Sequence, residues 1–410
     1  MEDTFTNLAT PNARRTSVAK PSGLREMLLA RGLKNIETGR LTVDFPSGAR
    51  LHVAGKQQGP DAMLSIADNR AVTRLLTAGD LGFAEGYMAG EWDTPDLKVL
   101  LDLGLRNEAA FAGSVRRIGA LELVNRLRHR LRANSRRGSR RNIAAHYDLG
   151  NDFYTPWLDQ TMSYSSAIFE DMDEPMEIAQ QRKYARMAEM LDLQDGDHIL
   201  EIGCGWGGFA EYAARNHGCR VTGLTLSHEQ ARYSRDRMIL NGLSDQVEIR
   251  LQDYRDVDGR FDKIASIEMF EAVGQAYWPV YFGTLKARLK PGGKAALQSI
   301  TIADDGFDAY RASPDFIQRY IFPGGMLPSP KVFGEAVAQS GLTLSDSFFF
   351  GPSYAETLRR WDRDFTAQWS AIRKLGFDER FRRMWHYYLK YCEVGFDAGR
   401  IDVGQFVLER

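Results

Sequence analysis

Short apolar runs recur along the second half of the chain, at 198–202 (HILEI), 220–224 (RVTGL), 247–251 (VEIRL), 262–267 (DKIASI) and 294–300 (KAALQSI). Stretches of helical period separate them, among them 208–217, 228–241 and 277–289. Strand-length runs alternating with helices predict an α/β fold with a mainly parallel sheet and helices on both faces. Upstream, residues 21–112 alternate short apolar segments with Gly-rich turns. LTVDF (41–45) and ARLHVAG (49–55) flank Pro46-Ser47-Gly48 and predict a hairpin within a small α+β domain. Residues 1–20 are polar and aperiodic, which predicts a flexible tail.

Between the halves the composition shifts. Residues 115–141 hold ten arginines against one acid, Glu122, while Val115, Ile118, Leu121, Val124, Leu127 and Leu131 share one helical face. Residues 113–141 therefore read as a basic amphipathic helix running into a linker. Three roles are open to it: packing on a neighbouring domain, contact with an anionic phospholipid surface, and RNA binding. For the whole chain, 53 Lys and Arg balance 54 Asp and Glu over 410 residues, which excludes a globally basic nucleic-acid binder. The three cysteines are too few for a disulfide scaffold and predict a reducing, cytoplasmic setting. No secretory leader and no run of about 20 apolar residues is visible, so the expected protein is soluble or peripheral to a membrane. The seven histidines lack metal-ligand spacing, and no metal site is expected.

The sharpest motif is Glu201-Ile202-Gly203-Cys204-Gly205-Trp206-Gly207-Gly208, after a predicted strand and before a predicted helix. Gly203, Gly205 and Gly208 satisfy the dinucleotide pattern G-x-G-x-x-G, but that reading wants an acid about 20 residues on. The next strand ends Gly223-Leu224-Thr225-Leu226-Ser227, with no carboxylate. An acid two residues before the first glycine fits instead the loop of S-adenosylmethionine-dependent methyltransferases, a Rossmann-like fold. The turn Leu289-Lys290-Pro291-Gly292-Gly293 before the fifth strand agrees with that fold.

With the loop placed, AHYDLGNDFY (145–154), SYSSAIFE (163–170), LEIGCGWGG (200–208), GLTLSHEQ (223–230), EMFEAVG (268–274) and YYLKYCEVGF (387–396) together resemble the cyclopropane-fatty-acyl-phospholipid synthase family. The resemblance covers about residues 140–410 and implies a catalytic domain at 142–410, with acyl-pocket insertions near 302–396. It implies transfer of a one-carbon unit from S-adenosylmethionine to the cis double bond of unsaturated phospholipid acyl chains, with a cyclopropane as product. Methyl- or methylene-branching enzymes resemble the family closely and remain the alternative. A peripheral protein on the inner membrane face is implied, bound through 115–141, and a homodimer is compatible with it.

By the same resemblance, Tyr164, Ser165, Glu201, Gly203, Cys204, Gly205 and Gly207 contact the cofactor. Thr225, Leu226, Ser227 and Gln230 form the element that replaces the missing acid, and Asp253 and Tyr254 flank the adenine. Glu271 and Tyr354 hold a bicarbonate ion together with positions 166, 298 and 300, here Ser166, Gln298 and Ile300, and Cys392 adjoins the site. Ser166 stands where cysteine is common, Gln298 where histidine is common, and Ala272 replaces the histidine of Phe-Glu-His. Glu268, three residues before Glu271, receives no role.

The chemistry fits these residue types. A bicarbonate could remove the proton that closes a ring. Aromatic faces stabilise a carbocation, and fourteen aromatics crowd residues 340–396, among them Phe348, Phe349, Phe350, Trp361, Phe365, Trp369 and Trp385. Most of these read as core and some as pocket lining. Two rival functions remain. An RNA or small-molecule methyltransferase shares the fold, but the chain reads Glu268-Met269-Phe270-Glu271 where RNA enzymes carry an Asn/Asp-Pro-Pro-Tyr element. A non-catalytic membrane binder would not need the intact glycine loop.

Overall fold

The computed structural model describes residues 21–115 and 149–410, with backbone alone for 112–115. The basic helix expected over 113–141 lies outside these residues beyond Val115, as does the start of the catalytic domain at 142. In the N-terminal unit the hairpin forms from β1 (Thr38–Asp44) and β2 (Arg50–Ala54), with Val43 opposite Leu51. β3 (Gln57–Ile66) lies parallel to β1 on its other side, and the short β4 (Trp92–Asp93) closes the order β2-β1-β3-β4. Leu41 and Val43 of β1 and Ala62, Leu64 and Ile66 of β3 are buried, every second residue, so one sheet face carries this unit's core. Helices α1 (Leu24–Leu33), α2 (Asn69–Met88), α3 (Leu97–Arg106) and α4 (Glu108–Val115) complete it.

The second unit is built on seven strands: β5 (His198–Ile202), β6 (Arg220–Thr225), β7 (Val247–Leu251), β8 (Phe261–Ile267), β9 (Leu289–Ile302), β10 (Thr343–Phe349) and β11 (Ile401–Glu409). Their order is β7-β6-β5-β8-β9-β11-β10, parallel except for β11, which runs antiparallel to both neighbours. After a short turn α5 (Asn151–Tyr154), helices α6 (Met176–Leu191), α7 (Gly208–His217) and α8 (His228–Leu240) pack with Ile199, Val221 and Ala265. Their sequence neighbours Leu200 and Ile264 instead pack with α9 (Trp278–Arg288) and α11 (Pro330–Ser340), beyond α10 (Phe307–Ala312). Period-two alternation thus feeds two cores, one on each face.

The predicted turn at 289–293 is absorbed into β9, with Gly292 at φ 74. The segment 302–396 divides into two parts. Its α11 and β10 belong to the sheet layers, whereas α12 (Gly351–Ala367), α13 (Trp369–Lys374) and α14 (Glu379–Asp397) form a helical cover between β10 and β11. Trp361, Phe365 and Trp385 are buried in that cover, while Phe349 on β10 stays 38% exposed.

The N-terminal unit grips the cover helix α14. Arg383 stacks on Tyr87 and donates to the Trp92 carbonyl at 2.8 Å. Lys98 pairs with Asp397 at 2.8 Å, and the Tyr320 hydroxyl donates to Glu85 at 2.6 Å.

Candidate active site

Strand order reverses between β5 and β8, which lie side by side, and ligands of open α/β sheets bind beyond the strand ends at such a point. The glycine loop leaves β5 here. Gly203, Gly205 and Gly207 have φ of 82°, 53° and 81°, a region costly for other residues. A Cβ on Gly203 would lie 2.7 Å from Met269 Cγ, so this glycine serves close packing. A Cβ on Gly205 would meet nothing within 4 Å. Gly205 therefore turns open space toward an approaching ligand.

Glu201 sits beneath this turn, 2% exposed. It takes a hydrogen bond from the Ala210 backbone, and its Oε2 is buried without a partner. Burial pushes its pKa up to about 8, against the pull of Lys183 and Arg237. A buried carboxylate oxygen lacking a donor, beside an open glycine, fits the amino-acid end of S-adenosylmethionine. Cys204 is buried, and burial together with the Glu201 charge keeps its thiol protonated.

At the end of β6 the Thr225 hydroxyl donates to Gln230 Oε1 at 2.8 Å and accepts from Ser227 N at 3.1 Å. Ser227 Oγ in turn caps α8 by accepting from Gln230 N, and Leu226 between them is half-buried. These bonds shape a turn without any acid. Asp253 forms a buried ion pair with Arg255 at 2.6 Å, and Tyr254 packs edge-on against Tyr281. The carboxylate expected beside the adenine is thus tied to a guanidinium. The segment before α6 packs on the loop through Tyr154, whose ring lies 5.0 Å from Trp206 and 5.4 Å from Tyr164. The Tyr164 hydroxyl donates to Tyr388, and Ser165 Oγ accepts from Lys183 Nζ at 2.7 Å.

Lys183 was invisible in the sequence, where it reads as one more charge on a helix. It is fully buried, its amine held by Ser165 and Gln180. Burial lowers its pKa to about 8, opposed by the charges of Glu268, Asp159 and Glu201. One ammonium therefore serves the carboxylates on both sides of the switch point.

Beyond β8 the donors expected around a bicarbonate ion meet a different group. Ser166 N donates to Glu268 Oε1 at 2.8 Å and Gln298 Nε2 donates to the same oxygen at 2.7 Å. The Tyr354 hydroxyl donates to Glu268 Oε2 at 2.6 Å. Glu271 instead accepts from Ile300 N, and its Oε2 is buried without a partner. The expected bicarbonate cradle therefore does not fit a free ion: three of its donors are engaged by a side chain of this chain. Gln298 is fixed in this role by β11, because its Oε1 accepts from Gln405 Nε2 at 3.0 Å.

Glu268 adopts φ 49, a left-handed conformation that costs a non-glycine residue of order 1 kcal/mol. Burial raises the pKa of both carboxyls, and Glu271 reaches about 8 because the Glu268 charge adds to burial. With three donors and Lys183 opposing the effect of burial, Glu268 is the carboxyl of the pair better able to hold a negative charge. Tyr354 stacks on Phe396 with ring centres 4.4 Å apart, which places the carboxylate at the edge of the aromatic cover. Cys392 on α14 is half-buried, and burial with the nearby Asp315 raises its pKa, so it remains a neutral thiol. Among the described residues no group of three or more His, Cys, Asp or Glu could hold a metal ion.

The strand order with its antiparallel β11, the glycine turn after β5 and the buried acid beneath it define an S-adenosylmethionine-dependent methyltransferase. Comparison with known proteins narrows the class. The family described as mycolic acid cyclopropane synthetase matches residues 134–406, and the chain belongs to it. It is 43% identical over 356 residues to the tuberculostearic acid methyltransferase UfaA1 of Mycobacterium tuberculosis, covering 82% of this chain and 80% of that protein. It is 37% identical over 343 residues to the cyclopropane-fatty-acyl-phospholipid synthase of Escherichia coli K12, covering 82% and 85%. The crystal structure of mycolic acid cyclopropane synthase CmaA1 with SAH and CTAB superposes with a TM-score of 0.62 at 32% identity, over 66% of this chain and 98% of that one.

Proposed function

We propose that the protein transfers a one-carbon unit from S-adenosylmethionine to the cis double bond of unsaturated phospholipid acyl chains, forming a cyclopropane. The observation that carries this reading is a buried carboxyl group held by three donors, beside the glycine turn and at the edge of an aromatic wall, the pairing an alkene alkylation needs. The cosubstrate supplies an electrophilic methyl on a sulfonium. An alkene is a poor nucleophile, so the chain's part is to align it and exclude water, which is worth roughly 7–11 kcal/mol at best. The π electrons form the new carbon–carbon bond as the carbon–sulfur bond breaks, leaving a cation on the acyl chain. Tyr164 and Trp361, stacked at 5.2 Å, and Tyr354 offer faces worth about 0.5–2 kcal/mol each to that cation. Loss of a proton from the transferred methyl then closes the ring.

A second reading, a methyl- or methylene-branched product, draws support from the 43% identity to a tuberculostearic acid methyltransferase. Expression in a host lacking such enzymes, followed by mass spectrometry and NMR of membrane fatty acids, separates the two. Unsaturated chains gaining one CH2 with upfield ring protons support the cyclopropane. Vinylidene or methyl-branch signals support the second reading, and unaltered lipids refute both.

Access to the substrate would come from peripheral attachment to the cytoplasmic membrane face through residues 115–141. No helix among the described residues is long and apolar enough to cross a membrane. Changing Arg126, Arg128, Arg130 and Arg132 together to Gln should weaken co-sedimentation with anionic vesicles steeply, at about 1 kcal/mol per residue. Unchanged binding at low salt would place the lipid contact elsewhere.

A further inference from the structure

The cradle that would hold a bicarbonate is already filled. We propose that Glu268 is the general base of the reaction, an internal carboxylate in the place of a dissolved anion, so that turnover is independent of bicarbonate; this rests on the one-carbon transfer proposed above.

The geometry carries the assignment. Donors from three separate segments converge on this one side chain: Ser166 N ahead of α6, Gln298 in β9 and Tyr354 in α12. Two of the donors are themselves positioned by further contacts, Gln298 by Gln405 and Tyr354 by its stack on Phe396. Glu268 holds a left-handed backbone to reach them. A carboxylate needed only to tie down a loop requires none of this convergence at a ligand-binding switch point. The neighbouring Glu271 is bonded to Ile300 N, and burial with the Glu268 charge raises its pKa to about 8, which leaves it mostly protonated at neutral pH and without a free pair to take the proton.

Proton bookkeeping closes on Glu268. Its Oε1 takes two hydrogen bonds and its Oε2 one, while an ionised carboxylate offers about four acceptor sites, which leaves capacity at Oε2. In the closing step a C–H bond of the transferred methyl breaks. Its electron pair forms the last ring bond to the cationic carbon, and the proton passes to Oε2. The carboxylic acid returns that proton to water once the product leaves. No oxidant, reductant or further co-reactant is needed.

The test compares wild type, Glu268→Gln and Glu268→Gly in CO2-depleted buffer with S-adenosylmethionine and vesicles of dioleoyl phospholipid. Wild-type turnover should be the same with and without added bicarbonate. Both variants should lose about 10²–10⁴-fold in rate while keeping S-adenosylmethionine affinity by calorimetry. Glu268→Gly vacates the cradle with its donors in place, so added bicarbonate should restore part of the rate. Glu268→Gln fills the same space with an amide and should not be rescued. Calorimetric titration of bicarbonate should show saturable binding to Glu268→Gly and none to wild type. Wild type that binds or requires bicarbonate, or Glu268→Gln with wild-type turnover, would overturn the assignment. Should wild type modify no lipid, the function reading fails alone, because the bicarbonate titration still decides what occupies the cradle.

Discussion

Glu201→Gln separates the stability of the fold from its affinity for the cosubstrate. Burial raises the Glu201 pKa from its ordinary 4.5 to about 8. Between these values the folded chain binds more protons than the unfolded one, so this group's contribution falls as pH rises from about 4.5 to about 8. The full shift corresponds to about 5 kcal/mol. Glutamine never ionises and escapes this cost, but its NH2 group would occupy a place without an acceptor, costing about 1–2 kcal/mol. The apoprotein should therefore gain about 3 kcal/mol near pH 8, or roughly 3–6 °C in Tm for a chain of this length. The gain should shrink toward pH 5. The amide would also present a donor where the cosubstrate's amino-acid end needs an acceptor, so the thermal shift on adding S-adenosylmethionine should vanish. Thermal melts of both proteins at pH 5 and pH 8, with and without the cosubstrate, provide the assay. A variant less stable than wild type at pH 8, or one that keeps the ligand-induced shift, would refute this account of the buried acid.

Gly205→Val should fold, with a penalty of about 1–2 kcal/mol for its positive φ, and lose S-adenosylmethionine binding by calorimetry because its methyls fill the open turn. Tyr354→Phe keeps the stack on Phe396 but removes the donor to Glu268 Oε2, so kcat should fall roughly 10–100-fold with cosubstrate affinity unchanged. Glu271→Gln retains an acceptor for Ile300 N and should stay within about tenfold of wild-type kcat, far milder than Glu268→Gln in the same lipid assay. Cys392→Ala should keep turnover within about threefold, since the thiol is neutral and forms no ion pair; loss of activity with the fold intact would give it a direct role.

Much of the sheet was legible because its signals are local. The runs at 198–202 and 247–251 and the helix at 208–217 match their elements residue for residue. β11 escaped because a strand paired on both sides and buried along most of its length loses the alternation of a half-exposed one. The glycine loop carried its own evidence, in an acid, three glycines and a following helix. Glu268 carried none. Its partners stand 102, 86 and 30 residues away in sequence, and its left-handed backbone follows no residue preference that would announce it. The resemblance named Ser166, Gln298 and Tyr354 as the surroundings of an anion, yet only their geometry showed the carboxylate on which they converge.

The left-handed backbone at position 268 also has a genetic reading. Glycine occupies φ 49 without penalty, so the backbone there already suits a residue with no side chain. Codons for glutamate and glycine differ at the second base alone. A single nucleotide change can therefore exchange a built-in carboxylate for an empty cradle lined by the same three donors, with no rearrangement of the main chain. Enzymes that carry their own base and enzymes that borrow one from solution would then be mutational neighbours, and which form persists would depend on how much dissolved carbonate the cell maintains.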